Sequence, residues 1–324
     1  MINQKTSAVI LAGGEGKRMN SKRPKVLAEV MFKPMIKWVI DAVKTAGIND
    51  ICVVTGSKHE FVEEYLEQLP FKVERVFQSE RLGTGHAVMQ TRDFLERHKG
   101  NNVLILNGDA PFIDADTIKD SFDMHSQKSS CTVVSAEVEN PTGYGRIIHE
   151  DSMLKTIVEE KEATDEIRKI KEVNSGVYWF EVDALLDALG KLKKSARTGE
   201  YYLTDTIFEI KQTGKNVFAY KAKNADSVLG ANDCIQLSQL NEIARKRILE
   251  KHMKNGVNIP CTDGVMIGSE VEIDSNTVIL PSSVICGNTK IGSFCKIGPS
   301  AFIVDCNISD NTDIANVCLK SKNM

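Results

Sequence analysis

Short β-branched runs alternate with amphipathic stretches from residue 7 to about residue 222, and the alternation then stops. Ser7-Ala8-Val9-Ile10 predicts a first strand over Ala8–Leu11. Ile36, Val39, Ile40 and Val43, three and four apart between Pro34 and Gly47, predict a helix opened by the proline and closed by the glycine. Ile51–Val54 reads as the next strand. A second helix follows from Ser57, with Phe61, Val62, Tyr65 and Leu66 on one face and Pro70 at its end, and then a strand over Lys72–Phe77. Val103-Leu104-Ile105-Leu106 is apolar without a break, as a central strand covered on both faces must be. Further strands are expected at Cys131–Val138, Arg146–His149, Val173–Phe180 and Val217–Lys221, and a helix at Thr204–Lys211. This is the grammar of a mixed, doubly wound α/β sheet.

Two different periods follow. Leu237, Leu240, Ile243, Ala244, Ile248 and Leu249 form one stripe of a long helix ending near Gly256, read as a connector. Beyond it Ile267, Ile273, Ile279, Ile285, Ile291, Ile297 and Ile303 recur every sixth residue, several followed by glycine, which is the hexapeptide pattern of a parallel β-helix. With three hexads to a coil, residues 267–319 span about three coils, and the register slips by one between Ile303 and Ile308. The expected domains are residues 1–232, a linker helix at 233–256 and the β-helix at 257–324. A short solenoid exposes a terminal rung unless it packs on copies of itself, so self-association, as a homotrimer, is expected.

Composition narrows the partners. The net charge of −3 and the absence of long like-charge runs argue against nucleic acid. No apolar stretch has the length of a membrane span, and residues 1–5 run into a strand without an apolar leader, so a cytoplasmic protein is expected. The eight cysteines have neither C-x-x-C spacing nor adjacent histidines and read as reduced packing residues.

The chemistry gathers where strands end. Leu11-Ala12-Gly13-Gly14-Glu15-Gly16-Lys17-Arg18-Met19, then Pro24-Lys25-Val26-Leu27, reads as a strand, a phosphate-cradling turn and two cations, Arg18 and Lys25. The glycine spacing matches neither G-x-G-x-x-G nor a P-loop. Gln78 can address a base edge, Gly83 allows close backbone approach, and Thr84 stands at a helix start. Asn107-Gly108-Asp109 puts a carboxylate at the ligand-binding edge of the central strand, a candidate Mg2+ ligand with the amide oxygen of Asn232 as the second. Alone, Glu159-Glu160-Lys161-Glu162 reads as a solvated run, Asn174 as a turn residue, Asn232 as a helix cap and His86 as a helix-face residue.

Taken together, LAGGEGKRM, PKVL, GTGHA, NGDAP, Tyr144-Gly145-Arg146-Ile147, Ile157-Val158-Glu159, Glu172-Val173-Asn174-Ser175-Gly176 and Gly230-Ala231-Asn232 resemble the bifunctional N-acetylglucosamine-1-phosphate uridylyltransferase and glucosamine-1-phosphate acetyltransferase family. The resemblance covers most of residues 7–320. It implies a Rossmann-like sheet of the nucleotide-diphospho-sugar transferase type followed by a left-handed β-helix. It further implies that Leu11, Ala12, Gly13, Gly14, Gln78, Gly83, Thr84, Gly108 and Asp109 hold the UTP nucleotide, with Arg18 and Lys25 on its phosphates. Gly145, Glu159, Asn174 and Asn232 would bind N-acetylglucosamine 1-phosphate, and Asp109 with Asn232 would hold Mg2+. Gly13 replaces a common alanine, and Asn107 a frequent tyrosine, which bears on sugar identity. The family's acetyltransferase site uses a histidine on later coils, whereas the last histidine here is His252, so no acetyl transfer is expected. Rival readings are another sugar 1-phosphate, dTTP in place of UTP, or a non-catalytic subunit that binds sugar nucleotides.

Overall fold

The computed structural model describes residues 6–14, 16–19, 21–150 and 153–321. Two units separate by internal contacts: residues 1–27 with 35–233, and residues 28–34 with 234–324.

Nine strands of the first unit form one sheet among the described residues: β1 (Thr6–Leu11), β2 (Asp50–Thr55), β3 (Glu74–Phe77), β4 (Asn102–Asn107), β5 (Cys131–Glu137), β6 (Arg146–Glu150), β7 (Met153–Val158), β8 (Glu172–Glu181) and β9 (Val217–Lys221). The order is β9-β5-β8-β4-β1-β2-β3, with β6 pairing β8 and β7. Neighbours from β4 through β3 run parallel, whereas β8 is antiparallel to both β4 and β5.

Side-chain parity explains the two-layered core. Along β1 and β4, Val9, Val103 and Ile105 enter one apolar cluster while Ala8, Ile10, Leu104 and Leu106 enter the other. Successive residues of a strand point to opposite faces, so a strand apolar at every position needs cover on both. Ile36, Val39, Ile40 and Val43 of helix Met35–Thr45 and Ile118 of helix Ala115–Lys128 cover one side; Leu185 of helix Val182–Leu189 and Ile207 of helix Asp205–Gln212 cover the other.

Two helix starts differ from the sequence reading. Pro34 lies outside the first helix, because Met31 and Phe32, both at positive φ, turn the chain between Val30 and Lys33 and draw Pro34 into a short ladder with Glu29. The second helix begins at His59 behind a left-handed Lys58, and Phe61 is exposed while Val62 and Leu66 are buried.

In the second unit, helix Cys234–Lys254 buries Leu240, Ala244, Ile248, Leu249 and His252. The chain then stacks in parallel coils: Ile267 pairs Ile285, which pairs Ile303, and Ile303 pairs Leu319. Ile273, Ile291 and Ile308 form a second column; Ile279, Ile297 and Ile314 form a third. The columns bury the hexad isoleucines from Ile267 through Ile303, whereas Ile308, Ile314 and Leu319 on the last rung are only half-buried. Non-glycine residues at positive φ, among them Asn276, Ser282, Asn311 and Asn316, turn the coils, and short polar side chains tolerate that conformation best. Among the described residues no helix is long and apolar enough to cross a membrane.

Candidate active site

Backbone pairing past the strand ends builds the floor of a cleft. Ala12 N donates to Val54 O at 2.8 Å and Gly108 N to Leu11 O at 2.9 Å, so the segments leaving β1 and β4 stay side by side. Ala12 and Gly108 are therefore buried behind the cleft, and Leu11, Gly13, Gly14, Lys25, Gln78, Gly83, Thr84 and Asp109 line its larger lobe, about 480 Å3 in volume. Gly56 packs against the turn, since a Cβ on it would come within 2.5 Å of Gly13 O, whereas a Cβ on Gly14 would meet nothing within 4 Å.

Gln78 is buried; its amide Nε2 donates to Gly83 O at 3.2 Å and lies 3.1 Å from His86 Nδ1. Its Oε1 faces Gly13. Gly83 has φ +99, and a side chain would place Cβ 2.4 Å from Tyr201 O. Tyr201 N donates to Leu82 O at 2.7 Å, Gly85 N to Tyr201 O at 2.8 Å, and Leu203 N to Thr84 Oγ1 at 3.1 Å, which clamps the Leu82–Gly85 turn onto residues 201–203.

Lys25 is the charged centre. Its ammonium pairs with the Asp109 carboxylate and donates to Asn232 Oδ1 at 3.0 Å. Gly230 allows this closeness, since a Cβ on it would lie 2.8 Å from Asp109 O. Tyr144 stands beside them; burial and the Asp109 carboxylate push its hydroxyl above the usual range, against a backbone hydrogen bond from Gly230. Arg18, by contrast, is exposed and lies outside both lobes. Glu15 and the Lys17 side chain are outside the described residues.

Asp109, Gly145, Glu159, Asn174 and Asn232 line a smaller lobe of about 230 Å3. Asn174 N donates to Gly145 O at 2.8 Å. Its side chain accepts from Gly176 N at 3.0 Å and donates to the Tyr178 hydroxyl at 2.6 Å. A bulge between Asn174 and Val177 makes this possible, and Gly176, at φ +76, would carry a Cβ 2.1 Å from Asn107 Nδ2. Glu159 accepts from Thr204 Oγ1 at 3.0 Å; burial raises its carboxyl above the ordinary range, and the Thr204 hydrogen bond opposes the shift. Leu11, Thr84, Asn107, Asp109, Gly143 and Glu159 belong to both lobes, so the lobes form one continuous cleft.

The structure brings together every candidate except Arg18. Sequence reasoning missed Arg81, Lys161 and Tyr202, which line the larger lobe. No local pattern marks Tyr202, although GTGHA pointed to the turn that its neighbour Tyr201 holds. No group of three His, Cys, Asp or Glu among the described residues could hold a metal; Asp109 and Asn232 offer a carboxylate and an amide oxygen, and the Lys25 ammonium already rests on both. Such hard oxygen donors suit Mg2+, which keeps several waters and uses substrate phosphates as further ligands.

The cleft lies at the carboxyl edge of the sheet, where open α/β sheets bind ligands, with a cation between two oxygen donors. The chain matches the nucleotidyl transferase family over residues 7–254 and belongs to it. More narrowly, it belongs with the bifunctional GlmU proteins, the group its motifs resemble. It is 45% identical to the Acetivibrio thermocellus protein over 95% of this chain and 67% of that one. It is 44% identical to the Thermoanaerobacter pseudethanolicus protein over 97% and 68%, and 42% identical to the Clostridium acetobutylicum protein over 97% and 69%. The chain thus spans about two thirds of their length. A Bacillus anthracis crystal structure described as a "Putative Glucose-1-Phosphate Thymidylyltransferase" in complex with a sucrose shares the fold, with a TM-score of 0.61 over 74% of this chain and 95% of that one at 22% identity. The expected fold class stands: a Rossmann-like mixed sheet followed by a short left-handed β-helix.

Proposed function

We propose that the chain transfers the uridylyl group of UTP to N-acetylglucosamine 1-phosphate, giving UDP-N-acetylglucosamine and pyrophosphate, with Mg2+ as cofactor. The observation that carries this reading is the junction of the two lobes, where Lys25 spans Asp109 and Asn232. UTP would occupy the larger lobe, its base against Leu11–Gly14, Gln78 and Gly83, and its triphosphate running toward Lys25. The sugar 1-phosphate would occupy the smaller lobe, against Gly145, Glu159 and Asn174.

The nucleophile is a phosphate oxygen that is already anionic, so no general base is required. It forms a bond to the α-phosphorus as the bridging oxygen leaves with its electron pair on pyrophosphate. Catalysis then rests on alignment and charge neutralisation. Lys25 supplies a fixed positive charge at the reacting phosphate, and Arg18 is kept as a cation for the outer phosphates. Asp109 and Asn232 would hold Mg2+, which neutralises charge on phosphate oxygens when bound.

No acetyl transfer is assigned to residues 257–324, which contain no histidine. The reading includes a cytoplasmic homotrimer assembled through the β-helix. Pyrophosphate release across UTP, dTTP and CTP, each with N-acetylglucosamine 1-phosphate and glucose 1-phosphate, with and without Mg2+, tests the reaction; acetyl-CoA with glucosamine 1-phosphate tests the remainder. UTP with N-acetylglucosamine 1-phosphate should give the highest kcat/KM, and a higher value for any other pair defeats the assignment.

A further inference from the structure

We propose that Glu160 is a positioning residue for the sugar side of the cleft: with the buried Arg146 guanidinium, it fixes the Gly143–Gly145 turn that forms one wall. The proposal rests on the reading of the smaller lobe as the sugar lobe.

Arg146 is 1% exposed, an unusual place for a cation. Its Nη2 donates to Glu160 Oε2 at 2.8 Å and to Arg168 O at 3.4 Å, and its Nη1 donates to Tyr144 O. Nε is buried and has no hydrogen-bond partner among the described residues. Glu160 is therefore the carboxylate that neutralises this guanidinium. The same Oε2 also accepts from Gly143 N at 3.1 Å, while Oε1 lies 3.4 Å from Arg168 Nε. One carboxylate thus holds the start of the turn directly and its centre through Arg146.

What the turn carries is the wall of the lobe. Gly143, at φ +89, lines both lobes; Gly145 O receives Asn174 N; and a Cβ on Gly145 would lie 3.5 Å from Glu159 Oε2. Glu159 and Glu160, adjacent in sequence, are anchored separately, Glu159 on Thr204 and Glu160 on Arg146. Anchoring the second holds the backbone of the first. A charge run that reads as solvated surface is, at Glu160, a strut for the substrate wall that itself lines the larger lobe.

Glu160→Gln keeps one acceptor oxygen and removes the charge. We expect it to raise KM for the sugar 1-phosphate at least about tenfold, the scale of one charge-assisted hydrogen bond. KM for the nucleoside triphosphate should rise by a clearly smaller factor, since Glu160 and Gly143 also line the larger lobe, and kcat should stay close to wild type, because Lys25 and Asp109 are untouched. Deuterium exchange over residues 142–146, measured without substrate, should quicken in the same variant. Glu160→Ala should exaggerate both effects; should it fail to fold, Glu160→Gln decides. Unchanged exchange, or Michaelis constants that move together, overturns the proposal. If the wild-type chain turns over no sugar 1-phosphate, the functional reading fails, and the exchange measurement still decides whether Glu160 holds the turn.

Discussion

Lys25 meets two oxygen donors that lie far from it in sequence, Asn232 being 207 positions away. An ammonium that occupies both donors competes with a metal ion for them. Lys25→Met should therefore bind Mn2+ more tightly than wild type when nucleotide is absent, as measured by electron paramagnetic resonance titration, while its turnover falls; weaker metal binding would contradict the shared site. Asp109→Ala should lower kcat by about 10²–10³, the range for losing one preorganised charge-stabilising group, and abolish the Mg2+ response. Arg18→Ala should cost far less, since the side chain is exposed outside both lobes; equal losses for Arg18→Ala and Lys25→Ala would show that the turn closes onto substrate. Glu159 adds a pH signature. Burial raises its carboxyl in the folded state, so the folded chain binds that proton more tightly than the unfolded one. Stability from this group is full below the ordinary carboxyl range and falls as pH rises through the window up to the raised value. Glu159→Gln keeps an acceptor for Thr204, so it should melt higher than wild type at pH 7 but not at acid pH, and lose sugar affinity. Asp109 and Lys25 were legible because each sits in a short pattern at a strand or turn end. Glu160 was not, because a run of charges looks the same whether water or a buried arginine faces it.

Elements set where those residues meet. β4 is apolar at every central position because layers cover both its faces, and Leu104→Ala should cost about 2–5 kcal/mol of stability, read by chemical denaturation, without shifting either KM of the folded fraction. Gly83→Ala tests a different constraint. The new methyl would face Tyr201 O at 2.4 Å, and a backbone carbonyl held by Gly85 N cannot step aside. The melting temperature should fall and KM for the nucleotide should rise in the folded fraction; a fall in melting temperature with an unchanged KM would make the clamp purely structural. Period and capping patterns located most strands of the first unit within a residue or two. They missed the hairpin at residues 29–34, because two consecutive non-glycine residues at positive φ leave no glycine signal.

Over the whole chain, the six-residue isoleucine period became three columns, and the slip after Ile303 became a coil of 17 rather than 18 residues between Ile291 and Ile308. The last rung, with Ile308, Ile314 and Leu319 half-buried, leaves strand edges that further β-structure can cover. If copies of the chain associate through this region, removing residues 257–324 should take the particle measured by light scattering from three copies to one, and a mass still three times that of the shortened chain would refute that role.

Sequence alone determined the alternation of strands and helices, the solenoid and the family, because each rests on backbone periods of two, 3.6 and six residues that short-range geometry imposes. The tertiary structure decided what the patterns could not: that Lys25 lies between Asp109 and Asn232, that residues 201–203 clamp the glycine turn, and that Arg146 is buried against Glu160. Those pairings depend on strand order and register across the sheet. They join residues with no local relation, so no periodicity along the chain records them.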